Sequence, residues 1–402
     1  MRYFKKITKK FWVRCIQSVF YFLCGDLREC ENKKASSILV VRLDEIGDMV
    51  MLTPFLRELH RWNSLAQITL VVKPGMQELF QYCPYVNVVK EFHSYSGKMS
   101  IFNACRAYWF CKHHLSAEYD LVIVPRWDSD AWYGAGYVAM CSRGKKRIAY
   151  SSCVNKSKNL SDDGFDLFYT DTLKETWHVH EVERNLDILR YLGADIQSDE
   201  LELWERKRKN INFFERTCPR RNKIRLIVFL SCGAPKKEWK VKNYVQTIGN
   251  VSKYYDVEVI LGGAGRRAKH NAEEFKRYYP NTIDLVDQTS LAETVALIKA
   301  CDCYLGGDTG PTHMAAACGV PGVALYLGIY GVSRGDLETP ERFGPWKSRL
   351  IVIQPEYLSP GCEKGCIKGY SHCINNITVE SVSENLLRVL SSVAHEKYGV
   401  ID

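Results

Sequence analysis

From Ser37 onward the chain alternates two kinds of apolar pattern. Short, nearly unbroken runs occur at Ile38–Leu43, Ile68–Val72, Val86–Val89 and Leu121–Val124. Between them apolar residues recur every three or four positions, as in Met49, Val50, Leu52, Phe55, Leu56 and Leu59. The first pattern predicts strands buried on both faces, the second amphipathic helices. Pro54 sits in the first turns of its helix, where it is tolerated. Further helices are predicted over 99–115 and over His178–Leu192, the latter ending at Gly193. Residues 206–223 are basic and polar, contain Pro219, and read as a linker. The alternation then restarts, with strands at Ile224–Leu230, Val257–Leu261, Ile283–Val286 (weaker), Cys303–Leu305 and Val323–Tyr326. Helices are predicted near 242–254, 266–278, 290–300 and 311–318. Strands of this kind separated by helices imply parallel sheets covered on both faces. The expected architecture is α/β, with doubly wound Rossmann-like domains over 36–205 and 224–395 facing a cleft.

The first 35 residues follow a different rule. Phe4, Ile7, Phe11, Cys15, Val19 and Phe22 share one helical stripe, bordered by Lys5, Lys6, Lys9, Lys10 and Arg14. Arg14 and Gln17 leave the apolar run too short to span a bilayer, and no small-residue cleavage site follows Leu23. The pattern predicts a helix lying on the anionic inner face of the cytoplasmic membrane, the alternative being a docking or dimerising helix.

Composition narrows the class. A length of 402 residues gives a prior of two domains, and 46% hydrophobic with 25% charged residues is globular. The net charge is +9, and much of the basic excess sits at the N-terminus and in 206–225, so it forms no single nucleic-acid face. The sixteen cysteines are scattered, many inside apolar runs, which points to a reducing, cytoplasmic compartment rather than a disulfide framework.

Two turns carry candidate chemistry. Cys301–Leu327 reads as strand, glycine-rich turn, small-residue helix and strand. Gly306, Gly307, Asp308, Thr309, Gly310 and Pro311 form the turn, with Asp308 or Thr309 as the expected cap. A helix starting there presents N–H groups and a positive dipole end to a phosphate; an ordinary βαβ turn is the plainer alternative. The other turn is Asp44-Glu45-Ile46-Gly47-Asp48, after the first strand. A carboxylate at that place can act as general base or can simply cap the helix that follows.

The stretches Arg42–Pro54 and Gly306–Pro321 together resemble glycosyltransferase family 9, the ADP-heptose:lipopolysaccharide heptosyltransferase group. Lys237-Glu238-Trp239 resembles the family's lysine-x-tryptophan motif, and the similarity spans roughly 36–395. The resemblance implies a GT-B fold and an inverting, metal-independent transfer from a nucleotide-sugar donor to a lipid-linked glycan acceptor, with no resident cofactor and no nucleic acid. It implies Asp48 as the base and Lys237 as the cation on the leaving diphosphate; by position alone Asp44, closer to the strand, is the second choice of base, and Lys236 could substitute for Lys237. Gly47, Asp308, Thr309, Gly310 and His313 match its donor site. Arg126, at the end of the fourth strand, is the candidate acceptor contact, meeting a phosphate or carboxylate, the alternative being that it simply pairs with a neighbour. One departure stands out: Gly262–Arg267 lacks the acid with which such enzymes often bind the donor ribose. Arg266 and Arg267 follow that turn and, unless they point away into solvent, call for an anionic partner: the donor phosphate or an acidic acceptor.

Cys362, Cys366, His372 and Cys373 form the one clustered cysteine set and can hold a structural zinc or iron ion, although their spacing is not that of a standard finger. Two other functions suit the same architecture: a nucleotide-sugar epimerase, which would need no acceptor, and a non-catalytic nucleotide-binding scaffold at the membrane.

Overall fold

The computed structural model describes residues 35–96, 102–115, 118–130, 133–162, 164–176, 178–204, 223–328, 339–362 and 369–399, together with Cys15, Ser18 and Val19. Most of the N-terminal helix prediction, nearly all of the predicted linker and Cys366 lie outside these residues. The chain divides into two compact units. One holds the residues up to Glu45 together with Leu52–Asp199; the other holds Ile46–Met51 and everything from Glu200.

The first unit is a six-stranded parallel sheet: β1 (Ser37–Arg42), β2 (Gln67–Val72), β3 (Val88–Glu91), β4 (Tyr119–Val124), β5 (Gly144–Tyr150) and β6 (Asp171–Leu173). Its strand order is β3-β2-β1-β4-β5-β6. The second unit has β7 (Ile224–Phe229), β8 (Val257–Gly262), β9 (Ile283–Asp284), β10 (Cys303–Gly307), β11 (Gly322–Leu325) and β12 (Leu350–Ile353). Its order, β12-β11-β10-β7-β8-β9, is the same topology repeated. The order reverses between β1 and β4 in one sheet and between β7 and β10 in the other, and such switch points open crevices at the carboxyl ends of strands.

Central strands are buried on both faces, as their apolar runs require: β7 is buried at every position. Three strands lie beyond the predicted ones. The β5 sequence carries Lys145, Lys146 and Arg147, which mask its strand character. Lys145 pairs with Asp120 at 2.8 Å, while buried Arg147 donates to the Phe168 and Gly144 carbonyls. The β6 strand has three residues, and β12 is an edge strand on β11. The helix predicted through Pro54 is two helices, Ile46–Met51 and Thr53–Trp62, with Pro54 in the first turn of the second. No helix among the described residues is long and apolar enough to cross a membrane.

Candidate active site

The switch point of the second sheet collects most of the sequence-predicted residues. β10 ends at Gly307 and the Gly310–Ala317 helix starts three residues later. The loop after β7 ends in one turn of 3-10 helix, Pro235–Lys237. Across the gap the Lys237 ammonium lies 2.7 Å from the Asp308 carboxylate, both side chains being largely buried. The expected cap is therefore corrected: Asp308 engages Lys237, and Thr309, the N-cap residue in extended conformation, makes no side-chain cap bond. Pro311 has no N–H to donate and the Thr309 side chain makes no cap bond; a helix start of this kind can receive an anion.

Neighbouring side chains fix both turns. The Tyr304 hydroxyl meets Thr312 Oγ1 at 2.8 Å, and Thr312 donates to the Gly307 carbonyl. Burial pushes the Tyr304 hydroxyl far above the usual phenol range, so it stays a neutral bonding group. On the other side, Glu238 accepts the Cys232 N–H at 3.2 Å and faces Arg267 at 3.4 Å. Arg267 also donates to the Cys232 carbonyl at 2.9 Å. The anionic partner that Arg267 called for is thus Glu238, and the pair braces the lysine loop; Arg266 is exposed. Lys236 is half-buried on the same 3-10 turn. Trp239, 2% exposed, packs edge-on against Tyr244 and donates its indole N–H to the Ile377 carbonyl at 3.1 Å.

The Ile46–Met51 helix belongs to this unit and packs on the Gly310–Ala317 helix. A Cβ at Gly47 would lie 2.7 Å from His313 Cδ2, so the imidazole occupies the space the glycine leaves. A Cβ at Gly310 would lie 2.6 Å from Ile46. Two glycines thus let the helices approach, and His313 is 3% exposed between them. Asp48 follows Gly47 in the first turn, half-buried, inside the helix rather than at its cap position.

In the first unit the switch point holds an ion-paired group. Buried Asp44 is shared between Arg42 and Arg126. Arg126 also donates to the Ser129 carbonyl at 2.8 Å, and Arg42 to Asn185 at 3.3 Å. Both Asp44 and Arg126 are therefore engaged with each other. A cleft of about 800 Å³ opens past the carboxyl ends of β2 and β3, with Glu91, His93, Tyr95, Arg106, Trp109 and His113 in its walls. Trp109 stacks on His113 with ring centroids 5.1 Å apart.

Sequence reasoning missed the acid at the Gly262–Arg267 turn. Asp287, from the loop after β9, accepts the Gly265 N–H at 2.7 Å, and its own N–H bonds the Gly263 carbonyl at 3.0 Å. The signal lay in another strand's loop, and register alone brings it there.

Two parallel sheets of this order place the chain in the GT-B class of glycosyltransferase folds. Residues 110–371 match glycosyltransferase family 9 (heptosyltransferase), and the chain belongs to that family. It is 19% identical over 294 residues to the lipopolysaccharide core heptosyltransferase OpsX of Haemophilus influenzae, covering 72% of this chain and 78% of that protein. Among solved structures it is similar to E. coli ADP-heptose LPS heptosyltransferase II, with a TM-score of 0.66 and 19% identity over 89% of this chain and 99% of that one. A family 9 glycosyltransferase from Veillonella parvula has the same TM-score at 18% identity, covering 92% and 99%. E. coli heptosyltransferase WaaC with ADP follows at 0.63 and 15%, covering 88% and 99%.

Proposed function

We propose that this chain moves a heptose-like sugar from a nucleotide donor, ADP-heptose ranked first, to a lipopolysaccharide core or related surface glycan, inverting the anomeric centre without a metal in the chemistry. The observation that carries the reading is the Lys237–Asp308 pair beside a helix start whose N-cap residue, Thr309, makes no side-chain cap bond, at the switch point of the second sheet. A diphosphate arriving there meets a cation and backbone N–H groups, and displaces Asp308 from the ammonium towards the sugar. Charge on the departing diphosphate is then neutralised by Lys237 and the amides of Thr309 and Gly310. Buried His313 adds a donor one turn into the same helix. Asp48 takes the proton of the attacking hydroxyl. Asp287 supplies a carboxylate for the ribose at the turn that lacks its own acid. The aromatic cleft of the first unit, with Arg126 near its sheet, receives the acceptor glycan.

Calorimetry with ADP, GDP, UDP and CDP tests the donor. ADP should bind best, and Lys237→Ala should weaken it about 10- to 100-fold, as expected for a lost charge-assisted bond of about 1.5–3 kcal/mol. UDP or GDP binding about tenfold tighter than ADP would remove the heptosyl assignment. Loss of transfer in EDTA, restored by a divalent ion, would remove the metal-free chemistry. Free sugar released without acceptor would favour the epimerase class.

In this reading the enzyme works on the inner face of the cytoplasmic membrane, which the basic N-terminal stripe supports. Full-length protein should bind anionic vesicles in low salt and lose binding without residues 1–35; equal binding to neutral vesicles at every salt concentration would refute the electrostatic part.

A further inference from the structure

We propose that Cys362, His372 and Cys373 form a structural site for a divalent transition metal, with Zn²⁺ the best fit, which braces the loop carrying Lys237. The ligand atoms of the three residues lie within 4.8 Å of one another. Cys362 Sγ is 3.0 Å from His372 Nε2. The other ring nitrogen, Nδ1, lies 3.0 Å from the Tyr370 carbonyl, which can only accept. The proton is thereby held on Nδ1, and the Nε2 lone pair faces the sulfurs, the tautomer and orientation of a metal-bound histidine. The Ser359 N–H donates to Cys373 Sγ at 3.2 Å, fixing the sulfur beside the ring.

The backbone presents these groups on rigid turns. Ser359-Pro360-Gly361-Cys362 closes with a Cys362 N–H to Ser359 carbonyl bond of 3.0 Å, and Gly361 has φ of 86°. That is a proline-glycine turn of type II, whose third position favours a glycine. His372 precedes the short helix Cys373–Asn376, and its carbonyl accepts the Asn375 N–H at 3.0 Å. Cys362 and Cys373 are 1% and 2% exposed. Two thiolates and one neutral imidazole balance a dication, so the buried site carries no net charge. Soft sulfur and nitrogen donors suit zinc, and three of them leave one tetrahedral position for a water or a further donor.

The site has a load to hold. Cys362, Cys373, Ile374 and Ile377 belong to the same apolar core as Trp239. The Ile377 carbonyl, at the end of the short helix, accepts the Trp239 indole bond. Trp239 stands two residues from Lys237, so a metal pinning this helix also pins the lysine loop.

The test uses full-length protein with a tag that binds no metal, grown with added zinc and kept reduced. Metal analysis should find about one zinc per chain, and Cys362→Ser or Cys373→Ser should lower the zinc affinity about tenfold or more. Removing zinc with a strong chelator should lower the melting temperature and weaken ADP binding, and added zinc should restore both. Should the variants fail to fold, cobalt titrated into the zinc-free wild type reads the site directly, through thiolate charge-transfer and tetrahedral ligand-field bands. A wild type that carries no zinc and gives no such bands would overturn the proposal. So would variants that keep the metal, or a native mass lower by two hydrogens with both thiols lost to a disulfide.

Discussion

Replacing Gly47 with alanine tests how the two distant turns are joined. The new Cβ would stand 2.7 Å from His313 Cδ2 and 3.1 Å from Nε2. Ordinary contact begins near 3.4 Å, so the ring must retreat by about 0.7 Å or the helices must part. The ring is 3% exposed, so it has little room to retreat. Overpacking of this kind costs about 1–3 kcal/mol. Alanine returns about 0.5–1 kcal/mol in helix propensity, leaving a net loss of about 1–2 kcal/mol. For a unit of this size that is a drop of about 2–8 °C in melting temperature. Transfer should fall further, by about 10- to 100-fold, because a displaced His313 no longer meets the diphosphate in register. The decisive assay is a double-mutant cycle. With His313→Ala in place the clash is gone, and Gly47→Ala should then be neutral or stabilising. An equal stability loss from Gly47→Ala in both backgrounds would refute the packing argument.

Asp48→Asn should abolish transfer while leaving ADP affinity within about twofold, because a base acts only as the acceptor proton leaves; wild-type-like turnover would remove Asp48 from the mechanism. Lys158 offers a pH signature in the first unit. It is 7% exposed, donates to the Arg126 carbonyl at 2.8 Å, and is lowered to about 8 chiefly by burial. A lysine whose folded pKa is depressed destabilises the fold while charged, so the penalty is full below about 8 and lifts as pH rises toward the ordinary 10.5. Wild-type stability should therefore gain up to about 3 kcal/mol across that window relative to Lys158→Met. Parallel denaturation profiles for the two proteins from pH 7 to 10.5 would contradict the burial.

Local pattern was enough for much of this protein. Unbroken apolar runs separated by helical ones could only become parallel sheets covered on both faces, and the repeat of that series implied two domains. The turn at Gly306–Pro311 was legible as a strand end, a glycine turn and a proline-started helix because the three are contiguous in the chain. The alternation missed β5, since Lys145 and Arg147 break the apolar run and find partners only in the folded sheet. Asp308, one of the two expected caps, has a claimant in Lys237 brought over from another loop, and Thr309 stands at the N-cap position without a side-chain cap bond. The partner of Arg267 and the reach of Asp287 to Gly265 were likewise invisible, each depending on how β8 lies against its neighbours. Periodicity likewise did not show that Ile46–Met51 folds with the second unit, or that the space beside Gly47 holds the ring of His313. Spacing along a chain reports which face of an element is buried; which atoms fill that face depends on residues hundreds of positions away, and only packing decides it.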